Sequence, residues 1–551
     1  MASGSLARAR AHFVLFLLAA VAGEKPDAMN FVILLADDLG WADVSPPPYP
    51  DKALWRTETP QLERMAREGL TLLGYRNASP LCSPSRMALL SGVFPKRFSL
   101  DGIIRTKNNG NLPRVPTLPA TLHTADFATL HIGKWHMGGV SDRDLSDQAR
   151  RSCARPGPLE HGFQTALVHS EINQRRLNNT QYVIRMPKPG CCPWHCCMYS
   201  RYSEEYLKME WKSTDKAEIR WAKKEQWLSD RQAAEAIDFF RARERDGRRF
   251  YVNLAFSAPH LPIEGVPPYV DAARRFGESG LSEYVRSCPP TLCVPFSADY
   301  ISVVQSLDRA VGDVLDALVA SRQAASTLVL FASDNGPEEG FGMARPFRGR
   351  KRSIFEGGLA SPAFLWGPAV VPRGASTRVF VNSVDVFPTA LGALGVPFPA
   401  QASEPWPPTA VGPGASKYDQ AGRGAERARL FDGVNQWPAL VGDAAARARG
   451  DALQRERVAV WHNEFAQSAA RRRDLKLRVV PRSAKKGDEL YNLSADPTER
   501  VNLIKEPRFA EDVAFLRGAA AAFDKTRTRP FNQAGPAGRC GPSVLADIKP
   551  F

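Results

Sequence analysis

The sequence predicts an α/β protein built on a large, mainly parallel or mixed sheet sandwiched by helices. Three observations predict it. Short, continuous apolar runs rich in branched residues recur along the chain, the pattern of strands buried on both faces. Helical patterns separate those runs, so strand and helix alternate. Several runs end in acidic or other polar residues, and in open α/β sheets sites form outside the carboxyl ends of the strands. A length of 551 residues exceeds one ordinary domain, so one large and one smaller domain are expected. Hydrophobic content of 44% with 24% charged residues excludes a disordered chain.

At the N-terminus, Arg8 and Arg10 precede an apolar run from Phe13 to Ala22, followed by Gly23-Glu24-Lys25-Pro26. The run is about half the length that spans a bilayer. With Ala20-Val21-Ala22 as a small-residue cleavage site, residues 1–22 read as a secretory signal peptide. No other stretch is long and apolar enough to cross a membrane, so a mature protein in the secretory route is expected, secreted or lysosomal.

The first strand is Asn30 to Ala36, which runs into Asp37-Asp38-Leu39-Gly40. Two carboxylates at a buried strand end are costly unless something positive sits there. A second such unit, Thr327 to Ala332, runs into Ser333-Asp334-Asn335-Gly336. Oxygen ligands from both ends would suit one hard cation, Ca²⁺ or Mg²⁺, rather than zinc. A solvated Asp-Asp loop is the plainer alternative. Further strands are expected at Phe127 to Ile132, ahead of Gly133-Lys134-Trp135-His136, and at Phe250 to Phe256, ahead of Ser257-Ala258-Pro259-His260. Another is expected at Val379 to Val384, ahead of Asp385. Helical patterns cover Thr59 to Gly69, Ser229 to Arg245 and Tyr300 to Ala320. Lys134 and His136, two apart in an extended backbone, would face one side.

The densest stretch is residues 81–92, LCSPSRMALLSG. Serine and proline before an apolar run mark a helix start. Cys82 would then sit at a helix N-terminus, whose unpaired N–H groups favour an anion, with Arg86 one turn on. A sulfur, a guanidinium and a helix N-terminus suit chemistry on a tetrahedral anion; a buried cysteine ahead of an amphipathic helix would look the same.

Nine cysteines occur: Cys82, Cys153, Cys191, Cys192, Cys196, Cys197, Cys288, Cys293 and Cys540. The odd count leaves one unpaired, and Cys82 is the natural candidate. Disulfides are preferred to a zinc site for the 191–197 cluster, because adjacent cysteines constrain a tetrahedral site badly and the compartment is oxidising. The formal charge of +15 is scattered, with short clusters at Arg471-Arg472-Arg473 and Lys485-Lys486. With the secretory route, that argues against nucleic acid and for a solvated surface or an acidic substrate. Sequons stand at Asn77, Asn178 and Asn492; Asn77, close to the proposed site, is the least suited to a glycan.

Cys82-Ser83-Pro84-Ser85-Arg86, with Leu89, Ser91 and Gly92, resembles the signature of the type I sulfatases position for position. The resemblance implies an alkaline-phosphatase-like fold. It implies that Cys82 is oxidised by a formylglycine-generating enzyme to formylglycine (3-oxoalanine), whose hydrate attacks the sulfur of a sulfate ester. It also implies a Ca²⁺ held by Asp37, Asp38, Asp334, Asn335 and residue 82, with Mg²⁺ as an alternative. Gly-Lys-Trp-His resembles the family's second signature, with Asp126 where a glycine usually precedes the aromatic. By the same resemblance, Arg86 and Lys134 would hold the nucleophile and His136 would be the base for release. His260 and Lys351, in Ser-Ala-Pro-His and in Gly349 to Gly358, would bind sulfate and protonate the leaving oxygen. Ala360 replaces an arginine often found there, so altered local packing is expected. Ser170, after His161-Gly162-Phe163, is the match for a serine that binds substrate.

Residues 401–450 look like a long connection, so the catalytic domain is placed at 23–445 and a C-terminal sub-domain at 446–551. Strands are expected at Arg457 to Trp461, Leu475 to Val480 and Glu489 to Leu493. Residues 487–499 resemble the family's C-terminal sub-domain, a small antiparallel sheet with a packed helix, here Pro507 to Phe523. Pro346 to Lys351 and Cys540 look most like the arylsulfatase B, or N-acetylgalactosamine-4-sulfatase, branch. The reading implied is hydrolysis of sulfate esters on small molecules or glycans. The alternatives are a phosphonate or phosphate ester hydrolase of the same superfold, or a glycan-binding homologue without catalysis. Oligomeric state is not legible.

Overall fold

The computed structural model describes residues 29–45, 57–98, 100–104, 116–137, 157–169, 183–185, 199–201, 205–210, 218–221, 227–261, 263, 265–266, 269–271, 298–398, 432–442, 445–446, 448, 457–481 and 487–525. The leader, Ser170, Asn178, the 401–431 connection and every cysteine except Cys82 lie outside these residues.

The strands in chain order are β1 (Asn30–Ala36), β2 (Leu70–Leu72), β3 (Tyr75–Arg76), β4 (Ala128–Gly133), β5 (Thr165–His169), β6 (Val183–Arg185), β7 (Tyr199–Arg201), β8 (Glu205–Glu210) and β9 (Glu218–Trp221). They continue with β10 (Phe250–Ala255), β11 (Thr327–Ser333), β12 (Ala363–Trp366), β13 (Ala375–Thr377), β14 (Val381–Asn382), β15 (Val458–His462), β16 (Ser468–Arg472), β17 (Leu475–Val479) and β18 (Glu489–Asn492). The helices that matter below are α1 (Pro60–Glu68), α2 (Cys82–Ser91), α3 (Leu118–Thr124), α4 (Leu228–Asp246), α5 (Ala298–Ala320), α6 (Glu356–Leu359), α7 (Val386–Leu394), α8 (Trp437–Val441) and α9 (Ala510–Lys525).

Ten strands form one sheet in the order β13-β2-β12-β11-β1-β10-β4-β5-β8-β9. Its centre, β11-β1-β10-β4-β5, is parallel. Antiparallel pairs extend it on both sides, β12 on β11 and β8 on β5. Alternation along β1 explains the layers, since successive side chains leave opposite faces. Phe31, Ile33 and Leu35 pack with Met87 and Leu90 of α2, Leu118 of α3 and Phe387 of α7. Val32, Leu34 and Ala36 pack with Met65 of α1, Phe240 of α4 and Leu307 and Val311 of α5. The expected helix-sheet-helix sandwich is therefore present.

Helix α1 starts at Pro60, whose missing N–H costs nothing in a first turn. Its N-cap Thr59 makes no side-chain cap. Asp308 of α5 does that work instead, accepting from Leu62 N at 2.8 Å and Gln61 N at 3.0 Å. Burial pushes the Asp308 carboxyl up to about 7 against those two backbone donors.

Two expectations are corrected. Val379 to Val384 is not a strand of the main sheet. Only Val381–Asn382 pairs, with β3, in a separate two-stranded ladder. The Asn382 side chain then accepts from Val384 N, and Asn382 N donates to Asp385 at 2.8 Å, which turns the chain into a 3-10 segment before α7. In the C-terminal sheet β15-β16-β17-β18, all antiparallel, β16 was not foreseen. Its sequence Ser-Ala-Ala-Arg-Arg lacks branched or aromatic residues, and Ala469 and Ala470 are nonetheless buried.

Helix α9 packs Leu516, Ala520 and Phe523 against Trp461, Leu477 and Leu490 of that sheet. The same cluster takes in Ala88 of α2, Phe94 and Ile354. Thus α2, with all ten residues buried, lies between the main core and the small sheet. A buried ionic network spans the same junction. Glu356 of α6 pairs with Arg76 and, at 2.7 Å, with Lys476 of β17, which also reaches Glu499 at 3.0 Å. Burial pushes Glu356 up, but Lys476 and Arg76 overcome it and hold the carboxyl below its ordinary range.

Lys476→Met would leave two buried carboxylates without that cation, and is expected to cost about 3–5 kcal/mol. Urea unfolding of the full chain checks it; a loss under about 1 kcal/mol would show that the network does not hold the junction.

Candidate active site

Helix α2 opens with Cys82 at its first position, after Leu81 in extended backbone, and closes on Gly92 at φ 69°. Pro84 is tolerated because first-turn N–H groups have no intrahelical partner. The first intrahelical bond runs from Ser85 N to Leu81 O at 3.0 Å. Ser83 accepts from Ile104 N at 2.9 Å, tying down the loop beyond. As expected, Arg86 follows one turn later on the same side as Cys82.

The carboxyl ends of β1, β4, β10 and β11 meet this helix start. Asp37 follows β1 and is held by its N–H to Ala258 O at 3.0 Å. Asp38 takes left-handed backbone, φ 65°, with its N–H on Asp334 Oδ1 at 3.2 Å. Leu39 N donates to Ser333 Oγ at 2.9 Å. These bonds turn the chain sharply so that both carboxylates face one point. Gly133 ends β4 at φ 95°, and a Cβ there would come within 2.0 Å of Ala255 O. Glycine is needed for both reasons before Lys134 can enter the site.

Four residues on these ends, Asp37, Asp38, Lys134 and Asp334, converge with Cys82 and Arg86 of α2 and with Lys351. Cys82 Sγ lies 3.6 Å from Asp37 Oδ1 and 4.0 Å from Asp38 Oδ1. Lys134 Nζ donates to Asp37 Oδ2 at 2.5 Å. Lys351 Nζ donates to Asp38 Oδ2 at 2.6 Å and lies 3.1 Å from Glu338. Arg86 binds Asp334 Oδ2 through Nε at 2.9 Å and Nη2 at 2.8 Å, and sits 3.4 Å from Asp37. Its Nη1 donates to Lys134 O at 2.8 Å. Each of three buried carboxylates thus has its own buried cation.

The histidines enter differently. His260 Nδ1 meets the Leu261 carbonyl at 2.5 Å, and a carbonyl can only accept, so Nδ1 carries the proton. Nε2 then faces Asp38 Oδ2 at 3.6 Å. Burial, with Lys134, pushes the His260 pKa down. His136 has φ 54°, so residues 134–136 are not extended, and the two side chains reach the site through a turn rather than by strand alternation. Its Nδ1 is buried without a partner, and burial with the charges of Lys134 and Arg86 holds the ring well below its ordinary pKa. Both rings are neutral at neutral pH.

Electrostatics at the centre are strained by burial. Burial pushes Asp37 up, but Lys134, His260, Arg86 and Lys351 together hold it well below the carboxylate range. Asp334 goes the other way, to about 7, through burial and the neighbouring Asp37 charge. Burial raises the Cys82 thiol well above its ordinary value, with Lys134 and Lys351 opposing. Burial opposes the charge on Lys134 and on Lys351, yet Asp37 and Asp38 raise both, so both stay protonated.

The donor set fits a hard cation. Asp37, Asp38, Asp334 and Asn335 are each 2% exposed or less. Asn335 Nδ2 donates to Asp38 Oδ1 at 2.6 Å, while its Oδ1 is buried without a hydrogen-bond partner. An orphaned amide oxygen next to Asp334, whose carboxyl burial and the Asp37 charge push up to about 7, is the electrostatic shape of a cation site. Asp37, Asp38, Cys82 and His260 also lie close enough together to share an ion.

The residues named from sequence are therefore brought together: Asp37, Asp38, Cys82, Arg86, Lys134, Asp334, Asn335 and Lys351 by direct contact, and His260 through Asp38. Ser170 lies outside the described residues. Glu338 was missed; it follows Asn335 by three positions but reaches Lys351 only because the 337–351 loop closes, with Lys351 N on Pro337 O at 3.0 Å. Asp126 adopts φ 64°, the backbone that a glycine would favour and an aspartate tolerates. Ala360 bridges to Arg76, whose guanidinium binds Glu356, so a guanidinium reaches this spot from another strand.

A family model described as Sulfatase matches residues 29–396. The chain belongs to the sulfatase family. It is 29% identical to N-acetylgalactosamine-6-sulfatase of Canis lupus familiaris over 68% of this chain and 64% of that protein. The match spans less than two thirds of that relative. An uncharacterized sulfatase of Schizosaccharomyces pombe is 25% identical over 86% of this chain and 90% of its own length. The solved structure of Ps i-CgsB with a neocarrahexaose superposes at a TM-score of 0.66 and 21% identity, covering 92% of this chain and 94% of that one. The fold expectation is met by that likeness. The narrower likeness to arylsulfatase B stays an expectation from the sequence.

In this chain an unconverted Cys82 thiol, 1% exposed and held protonated by burial, is expected to resist iodoacetamide at pH 8 and to react once urea unfolds the chain. Peptide mass analysis checks it; rapid alkylation of the folded chain would contradict the buried site.

Proposed function

We propose that this chain hydrolyses sulfate esters, with Cys82 as the position of the nucleophile and sugar sulfates as the substrate class. The observation that carries the reading is the ring of Arg86, Lys134, Lys351 and His260 around Cys82, set against the buried carboxylates. A sulfate ester repels nucleophiles by its charge, so a site must neutralise that charge and hold the attacking group in place. Sugar sulfates are favoured because the N-acetylgalactosamine-6-sulfatase relative and the neocarrahexaose complex both carry sugar names.

Lys134 and Lys351 stay protonated and would move from their carboxylates to the ester oxygens when substrate enters. Arg86, clamped by Asp334 and the Lys134 carbonyl, keeps a fixed positive charge beside residue 82. His136 is neutral and half-buried, and its Nδ1, buried without a partner, can accept a proton. Lys351, with Glu338 behind it, would protonate the departing oxygen. Formylglycine, formed from Cys82 by a formylglycine-generating enzyme in the secretory route, supplies a hydrated aldehyde as a stronger nucleophile than a buried thiol. Asp37, Asp38, Asp334 and Asn335 would hold Ca²⁺ or Mg²⁺, which neutralises charge on the sulfate oxygens. The leader pattern supports entry into the secretory route, and among the described residues no helix is long and apolar enough to cross a membrane.

Sulfate release from 4-nitrophenyl sulfate is expected to exceed turnover of the matching phosphate and phosphonate esters. Cys82→Ala is expected to lower it by at least about a thousandfold. Faster phosphonate turnover would favour the phosphonate hydrolase; no turnover of any ester would favour a binding protein.

Calcium is expected to raise the melting midpoint of the full chain, by about 2.7 kcal/mol of stability at a hundredfold excess over Kd. Asp37→Asn should lose that shift. Equal shifts in both proteins, read by differential scanning calorimetry, would place the ion elsewhere.

A further inference from the structure

A cleft of about 540 Å³ opens between the loop at 345–348 and the C-terminal segment at 498–500. Arg345, Arg348 and Arg500 line it, with Thr498, Pro346 and Phe347. None of the sequence motifs used above includes Arg500. Guanidinium groups offer several N–H donors in a planar fork that matches sulfate or carboxylate oxygens.

Arg348 is pre-positioned. It donates to Tyr491 Oη at 3.1 Å and to the Glu499 carbonyl at 3.0 Å, and stacks 4.0 Å from the Phe355 ring centroid. Both acceptors are uncharged, so its positive charge is oriented without being cancelled by them. The nearby carboxylate of Asp496 is occupied with Arg500 N at 2.7 Å, Val501 N at 2.8 Å and the Thr498 hydroxyl at 2.8 Å. Arg345 and Arg500 are exposed.

Phe347 and Pro346 add an apolar wall. The Phe347 ring is fixed edge-on against Trp41 at 5.0 Å, with the Arg76 guanidinium 5.3 Å from its centroid. Trp41 stands three residues after Asp38, and Lys351 three after Arg348. One wall of the cleft thus runs directly into the segment that carries Lys351 and rests, through Phe347, on the Trp41 that follows the paired aspartates. An apolar platform beside guanidinium groups suits a sugar ring bearing an anion better than a free inorganic ion.

We infer that this cleft is a second anion subsite, binding a sulfate or carboxylate group on a sugar further along the glycan whose sulfate ester lies at Cys82. The inference rests on the hydrolase reading for what occupies the neighbouring site. It makes the preferred substrate a multiply anionic oligosaccharide rather than a monosulfated monosaccharide. Both walls are needed, so the C-terminal sub-domain takes part in substrate choice.

The test uses the full chain carrying Cys82→Ala, so that the probe is not consumed. Isothermal titration calorimetry measures binding of a chondroitin 6-sulfate hexasaccharide and of the same hexasaccharide after desulfation. Arg345→Ala with Arg500→Ala is expected to weaken binding about tenfold, as the loss of two exposed charge contacts would. Arg241→Ala with Arg373→Ala removes the same charge elsewhere and is expected to change it by less than about twofold. Loss confined to the sulfated probe assigns a sulfate to the cleft, and loss with both probes assigns a carboxylate. Equal loss in both pairs of variants, no loss in the first pair, or no binding by the parent overturns the inference. Sulfate release from 4-nitrophenyl sulfate by the chain with Cys82 intact is measured alongside. Its absence with selective binding retained would sink the hydrolase reading and leave the cleft standing.

Discussion

Three buried carboxylates, Asp37, Asp38 and Asp334, set the terms for everything around them. Carboxylates taken out of water are tolerated only when paired or coordinated. Here each has a cation, Lys134, Lys351 and Arg86 in that order, and those cations come from three different parts of the chain. The parallel centre of the sheet is what makes the meeting possible, because adjacent parallel strands end on one side. Helix α2 then has to lie against that edge with Cys82 foremost, which its burial between two hydrophobic cores enforces.

The same pairs explain how a binding site can be stable before anything binds. Lysines that would bind sulfate oxygens are parked on carboxylates that would hold a metal. Arrival of a cation and of an anionic ester would exchange one set of partners for another, with little uncompensated charge at either stage. Asp334, pushed up to about 7, and the orphaned oxygen of Asn335 mark where that balance is least complete. A second buried network, Arg76-Glu356-Lys476-Glu499, fixes the small sheet to the large one. It also sets the loop bearing Lys351 and the Arg348 wall of the neighbouring cleft.

Much of this was legible in the chain. Strands β1 and β11 announce themselves as apolar runs ending in acids, because a strand buried on both faces needs no alternation and its site lies at its end. Cys82 and Arg86 share one helix turn, so their spacing is a local fact. What depends on distant closure was not legible: Glu338 behind Lys351, Asp308 capping α1, and the turn that brings His136 inward. The antiparallel flanks and β16 were hidden for a different reason, since Ser-Ala-Ala-Arg-Arg carries no strand signal and pairs only because its neighbours do. Val379 to Val384 misled because an apolar run can end in a capped turn as readily as in a sheet.

The central claim is that residue 82 performs the chemistry within this charge-balanced ring. The most direct measurement is the mass of the peptide containing position 82, taken from active full-length chain made in a host with formylglycine-generating activity. The account predicts an aldehyde there, in a fraction that rises in step with the rate of sulfate release across preparations. A fully active preparation in which Cys82 is wholly unmodified thiol would contradict it.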